Sequence, residues 1–283
     1  MKAIVSHDID HFTIGEHLFK DLIVPKHIVR AHLEWLNGAI PISELHHRML
    51  EVFSNKWNYI DELIAFNKSF SVPSTFFVGV KNGLGLSYSL FQALACIDVL
   101  KSENVSFGLH GIEFENREKI KEEFDLFQKV SGLKTFGMRM HYVRMNESTL
   151  TTFSDLGANY DSTVSAFENP YKIGNMWEFP FQLMDGWIIE NGKKRQSRNL
   201  RECKDATLHV LDKCANLNLN YIGIDFHDRY FSKSHTTWMK WYTWLIEELS
   251  NRKIEFTNFE NAIAILSENE YSVPNQSTEE AIN

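Results

Sequence analysis

The chain has 283 residues, 43% hydrophobic and 13% aromatic, with 37 acidic against 29 basic side chains and a formal net charge of -8. That is enough apolar sequence for one large core, and the acidic balance argues against general affinity for nucleic acid or anionic membranes. No stretch is long enough to span a bilayer, MKAIVSHDIDHF lacks a signal-peptide layout, and Cys96, Cys203 and Cys214 suggest neither a disulfide framework nor a CxxC zinc site, so a cytoplasmic setting is expected.

In chain order, AIVSHDID reads as a buried strand. Residues 12–55 are mixed and His-rich, with weak helical patterning around HIVRAHLEWL, and read as an inserted lid of helices and loops. WNYIDELIAFNKSF places Trp57, Ile60, Leu63 and Phe66 at helical spacing before Pro73. STFFVGV is the second strand, SLFQALACIDVLKSEN a helix, and VSFGLHG a third strand ending on His110 and Gly111. A helix with Ile120, Phe124 and Phe127 on one face stops at Gly132. FGMRMHYV is the fourth strand. Asn146 is placed to cap a helix that ends at Gly157. EFPFQLMD, NYIGIDFH and KIEFTNF supply further strands, separated by a Leu- and Cys-containing helix and by WMKWYTWLIEELSN. The domain expected is a single unit over 1–267, with 268–283 a flexible tail.

Alternating strands and helices predict a mostly parallel sheet with helices outside. SHDIDH, GLHG, MRMHY and IDFHD each put His, Asp or Arg at the end of an apolar strand. In a (β/α) barrel those ends gather at one mouth, where active sites sit. Strand alternation turns Asp8 and Asp10 to one face and His7, Ile9 and His11 to the other. Two adjacent carboxylates raise each other's pKa unless a cation or an arginine resolves the conflict. One aspartate would hold a metal while the other acts as base; the competing reading is a pair of loop aspartates capping the next segment. Arg139 and His141, two residues apart, both project into such a site. His227 suits a general acid because its ordinary pKa is near neutrality.

The ordered set SHDIDH, STFFVG, GLHG, GMRMHY, LGANYDST, EFPFQLMD and IDFH resembles the polysaccharide deacetylase superfamily, the NodB-like carbohydrate esterases, from about residue 3 to about residue 265. RMHYVRM is similar to a divergent bacterial subgroup associated with surface-polysaccharide clusters. The resemblance implies a distorted (β/α) barrel of the NodB type. It further implies a metal-dependent hydrolase, most simply with Zn2+, that removes an N-acetyl or similar acyl group from a sugar. An N-acetylated sugar, nucleotide sugar or oligosaccharide would be the substrate. By the same resemblance Asp8 matches the base, Asp10 and His110 metal ligands, and Arg139 the partner of the base. The backbone N–H of Tyr142 matches an oxyanion donor, His227 the acid, and Asp185 an acidic group beside it. The family's second metal histidine falls where this chain has Phe114, which cannot bind a cation. His141, Glu113 and His11 are the available substitutes, His141 being preferred for sharing a strand face with Arg139. Two other functions stay open: a non-catalytic barrel that binds glycan or organises a complex, and a metal amidohydrolase acting on a small non-sugar amide.

Overall fold

The computed structural model describes residues 1–17 and 22–272. Strand β1 (Lys2–Ile9) leads into a 3-10 turn and a helical hairpin, α1 (Ile23–Leu36) and α2 (Ile42–Ser54). There follow α3 (Ile60–Ser69), β2 (Thr75–Val78), α4 (Leu90–Ser102), β3 (Ser106–Gly111), α5 (Arg117–Ser131), β4 (Gly137–Met140) and α6 (Thr149–Leu156). The short strands β5 (Tyr160–Asp161), β6 (Tyr171–Ile173), β7 (Met176–Glu178) and β8 (Leu183–Met184) come next. The chain continues through α7 (Asp185–Glu190), α8 (Leu200–Asn216), β9 (Tyr221–Asp225), α9 (Thr236–Asn251), β10 (Glu255–Thr257) and α10 (Phe259–Ser272).

One sheet runs β6-β7-β5-β4-β3-β2-β1-β9-β8, with β10 also on β1. Every pairing is parallel except β6 with β7. The sheet curls into a half-barrel with helices outside, the distorted barrel expected. Its lower interior is filled by aromatics: Phe77, Tyr160, Phe179 and Phe259 form one buried cluster, with Tyr160 stacked on Phe259 at 4.3 Å. Room for Tyr160 comes from Gly137, where a Cβ would lie 2.0 Å from its ring. Several helices begin and end on local signals. Capping boxes start α4 (Ser89 with Gln92) and α8 (Asn199 with Glu202), and Gly132 and Gly157 close α5 and α6 at positive φ. The cap of α6 is Ser148; Asn146 acts two residues earlier, accepting from the Ser148 N–H.

Of the expected inserted lid over 12–55, the described parts are residues 12–17, with a 3-10 turn at Ile14–His17, and the α1–α2 hairpin. It packs on the segment after β9: the Arg48 guanidinium donates to the Ser234 carbonyl at 2.7 Å and pairs with Glu44 at 2.8 Å and with Glu34. All three side chains are buried. The hairpin therefore sits at the C-terminal end of β9, beside the ionisable residues. At the other terminus α10 runs on to Ser272, into the segment read as tail from 268; residues 273–283 lie outside the described ones.

Candidate active site

The C-terminal ends of β1, β3, β4 and β9 bring the ionisable residues together. Asp10 Oδ1 lies 3.3 Å from His110 Nε2 and 3.1 Å from His141 Nδ1, and the two nitrogens are 3.0 Å apart. The outer nitrogens decide what these three atoms are. His110 Nδ1 lies 3.1 Å from the Arg139 carbonyl, and His141 Nε2 lies 3.2 Å from the Leu84 carbonyl. A carbonyl only accepts, so each outer nitrogen carries a hydrogen and, in the neutral ring a cation requires, each inner nitrogen presents a lone pair. Three acceptors thus face one another, and the buried Asp10 Oδ1 has no hydrogen-bond partner. A cation satisfies all three. A tetrahedral ion with bonds of about 2.0–2.1 Å has ligand edges of about 3.3 Å, close to those found. The donor set therefore fits a divalent metal. Burial pushes the Asp10 carboxyl up, but His141 and His110 outweigh it and hold the group well below the usual carboxylate range. For His141, burial works downward and Asp10 reverses it, so its pKa is raised.

Position 141 departs from the sequence expectation in its local structure. Strand β4 ends at Met140, and His141 begins a 3-10 turn in which Tyr142 and Val143 take left-handed φ values of 58° and 49°. Bulky side chains rarely adopt that conformation. His141 is nonetheless buried and turned inward, while the Tyr142 side chain is 63% exposed with its ring 4.1 Å from the His141 ring. The other two candidate substitutes point elsewhere. Glu113 accepts from the N–H groups of Glu115 and Asn116 in its own loop. His11 lies past the end of β1 with Nδ1 2.8 Å from His17 Nε2. Phe114 is half-buried beneath the Arg144 guanidinium, 4.2 Å from its ring centre.

Beside the three acceptors lies Asp8, its Oδ2 3.8 Å from His110 Nε2. Arg139, fully buried between the rings of Phe77 and Phe181, is 3.3 Å from Asp8 Oδ1. Its remaining donors go to the Ser6 hydroxyl and to the carbonyl and hydroxyl of Ser162. The expected pairing is present, but Arg139 has a nearer carboxylate, Asp225, at 2.9 Å. That contact is off the N–H axis, since neither Asp225 oxygen receives a hydrogen bond. Burial, then the neighbouring Asp8, raises the Asp225 carboxyl to about 7. Sequence reasoning passed over Asp225, although the signal was there: it precedes His227 by two residues, the same alternation that pairs Asp8 with Asp10.

On the far side, His227 Nδ1 meets Asp185 Oδ1 at 2.9 Å, and its backbone N–H donates to Asp185 Oδ2 at 2.8 Å. Asp185 is therefore the acidic neighbour of His227. His227 Nε2 lies 3.7 Å from Asp10 Oδ2. Burial would lower the imidazole pKa, but Asp185 and Asp225 outweigh it and hold it well above the usual value. Asp8, Asp225 and His227 form a second close group of ligand-type atoms next to the first. The arrangement can hold a cation, accept a proton at Asp8 and deliver one from His227.

No family model and no curated protein sequence matches the chain. Solved structures do. A protein of Mycobacterium smegmatis assigned as a polysaccharide deacetylase superposes with a TM-score of 0.62 at 14% identity, covering 99% of this chain and 95% of that one. Puue allantoinase gives 0.61 at 13% identity, over 96% and 91%. A Pseudomonas aeruginosa PAO1 protein, also assigned as a polysaccharide deacetylase, gives 0.59 at 12%, over 97% and 92%. The chain has the fold of the polysaccharide deacetylases, one shared with an allantoinase.

Proposed function

We propose that the chain is a metal-dependent hydrolase that removes an N-acetyl or similar acyl group from a sugar, acting in bacterial surface-polysaccharide biosynthesis. The observation that carries this reading is the convergence of three buried acceptors, Asp10 Oδ1, His110 Nε2 and His141 Nδ1, between a carboxylate–arginine pair and a carboxylate–histidine pair. Those three residues would hold the ion, which we take to be Zn2+. Such an ion supplies Lewis acidity, bringing a water's pKa from about 15.7 towards 7 and polarising an acyl carbonyl.

The chain's own groups do the rest. Asp8 takes the proton of the attacking water, with Arg139 fixing its carboxylate and balancing its charge. The backbone N–H of Tyr142 donates to the developing oxyanion, an interaction worth about 3 kcal/mol for one such donor. His227, held as an imidazolium by Asp185, gives its proton to the nitrogen as the C–N bond breaks. Water's oxygen ends on the acyl carbon, and the sugar leaves as an amine.

Elemental analysis of purified protein and its Asp8→Asn and His141→Ala variants, with acetate release measured on N-acetylated sugars, nucleotide sugars, oligosaccharides and small amides, tests this. Asp8→Asn should lose about 10²–10⁴-fold in turnover and keep its metal. His141→Ala should lose metal affinity by more than about 100-fold, the upper range for residues that merely support a ligand. Metal-free wild-type protein, or an Asp8→Asn variant with normal rate, would overturn the reading. Turnover on small amides alone would move the substrate class towards that of the allantoinase with which the fold is shared.

A further inference from the structure

The α1–α2 hairpin buries charged side chains and exposes many of its apolar ones. Its acidic residues Glu34, Glu44 and Glu51 are all buried. Val24 and Leu45 are buried with them, but several large apolar residues are not: Val29, Leu33 and Leu36 on α1 and Ile42, Leu50 and Phe53 on α2 are exposed, Phe53 at 85%. Each trio falls at helical spacing, so each helix carries an apolar stripe facing outward. Lys26 and Arg30 stand exposed on α1. Among the described residues 22–56 no acidic side chain is exposed, in a chain whose formal net charge is -8.

The exposed apolar residues also cluster by position in the fold. Leu84, Leu90, Phe91, Tyr142, Met145 and Trp187 belong to the segments that follow β2, β4 and β8, at the same end of the sheet as the hairpin. Among the described residues only Met1, Val99 and Leu217 of the large exposed hydrophobics lie elsewhere. A concentration of this kind marks an interaction surface. Helices with apolar stripes of Leu, Ile and Phe, basic residues and no exposed acid match the composition of interfacial membrane helices.

We propose that the α1–α2 hairpin, with the apolar rim beside it, rests on the surface of a bilayer containing anionic lipid. Charge selects this occupant over a second copy of the chain. Pairing the hairpin with itself would bring Arg30 towards Arg30, with no exposed carboxylate among the described residues 22–56 to meet it. The acidic surface elsewhere does not oppose docking, because salt screens charges more than about 8–10 Å from the contact. The face need not be charged overall; it needs apolar side chains to insert and exposed positive charge such as Arg30 to meet headgroups.

The test is co-sedimentation of the full chain with vesicles of phosphatidylcholine alone and of phosphatidylcholine mixed with phosphatidylglycerol, and it needs no catalytic turnover. Binding should favour the mixed vesicles and weaken with added salt. Arg30→Ala should reduce partition about fivefold, and the double change Leu36→Ser with Phe53→Ser at least about tenfold, both with unchanged thermal melting because the side chains are exposed. Failure to bind mixed vesicles, or equal binding by wild type and the double variant, overturns the proposal. So does a concentration-dependent dimer that the double variant abolishes without any vesicle binding, which would assign the stripe to a second copy.

Discussion

Asp225 shows how one buried carboxylate tunes two neighbours. It lies 2.9 Å from Arg139 and helps to hold the His227 pKa up. Changing Asp225→Asn removes that negative charge from the imidazolium's surroundings, so His227 should release its proton at lower pH. In our mechanism the acid must be protonated, so the alkaline fall in kcat should move to lower pH in the variant. An unshifted alkaline limb would show that Asp225 acts only as packing. Arg139 has the complementary part: its carbonyl faces His110 Nδ1 while its guanidinium faces Asp8. One residue thereby fixes the tautomer of His110 and the position of Asp8.

At the scale of elements, the hairpin is held by a buried charge cluster together with apolar contacts around Val24, Ile40 and Leu45. Arg48 is buried with Glu34 and Glu44, and Glu34 also accepts the Gln196 N–H at 2.8 Å. Arg48→Met should cost about 3–5 kcal/mol, because it leaves two carboxylates buried without their cation; urea denaturation measures it. Much of the element plan was legible in the sequence. The runs that became β1, β2, β3 and β9 are apolar and end in polar residues, and the faces of α3 and α5 recur at helical spacing. The strands β5 and β6 were not legible. Tyr160–Asp161 is two residues long, and its place depends on Gly137 leaving room for a ring from another part of the chain. In the site, alternation picked out the Asp8–Asp10 pair directly. It gave His141 for an incomplete reason, since the strand stops at Met140 and a strained turn carries the imidazole inward.

Across the whole molecule, buried acids set the response to pH. The carboxyls of Asp161, Asp225 and Asp228 are pushed up to about 6, 7 and 8, mainly by burial, and Glu178 is raised too. Asp161 and Glu178 face each other across β5 and β7. In the unfolded chain such groups release their protons near pH 4. Through these groups the folded state holds more protons than the unfolded state from about pH 4 to about pH 8. Below about pH 6.5 the buried His7, His11, His27 and His235, kept neutral by desolvation, act the other way, so stability falls as pH rises from about 6.5 to about 8. Denaturation measured across that range should show the decline, and Glu178→Gln should flatten it, since an amide can still donate to Asp161 without ionising. A stability that stays level or rises with pH in the wild type would contradict this.

The pairing of β1 with β9 has a consequence in the order of synthesis. Asp10, His110 and His141 all lie in the first half of the chain, whereas Asp185, Asp225 and His227 arrive much later. At roughly 5–20 residues per second, about ten seconds separate the appearance of His141 from that of His227. Until then one edge of β1 waits for its partner. A nascent chain can thus bring Asp10, His110 and His141 together first and gain Asp225 and His227 only when β9 closes onto β1.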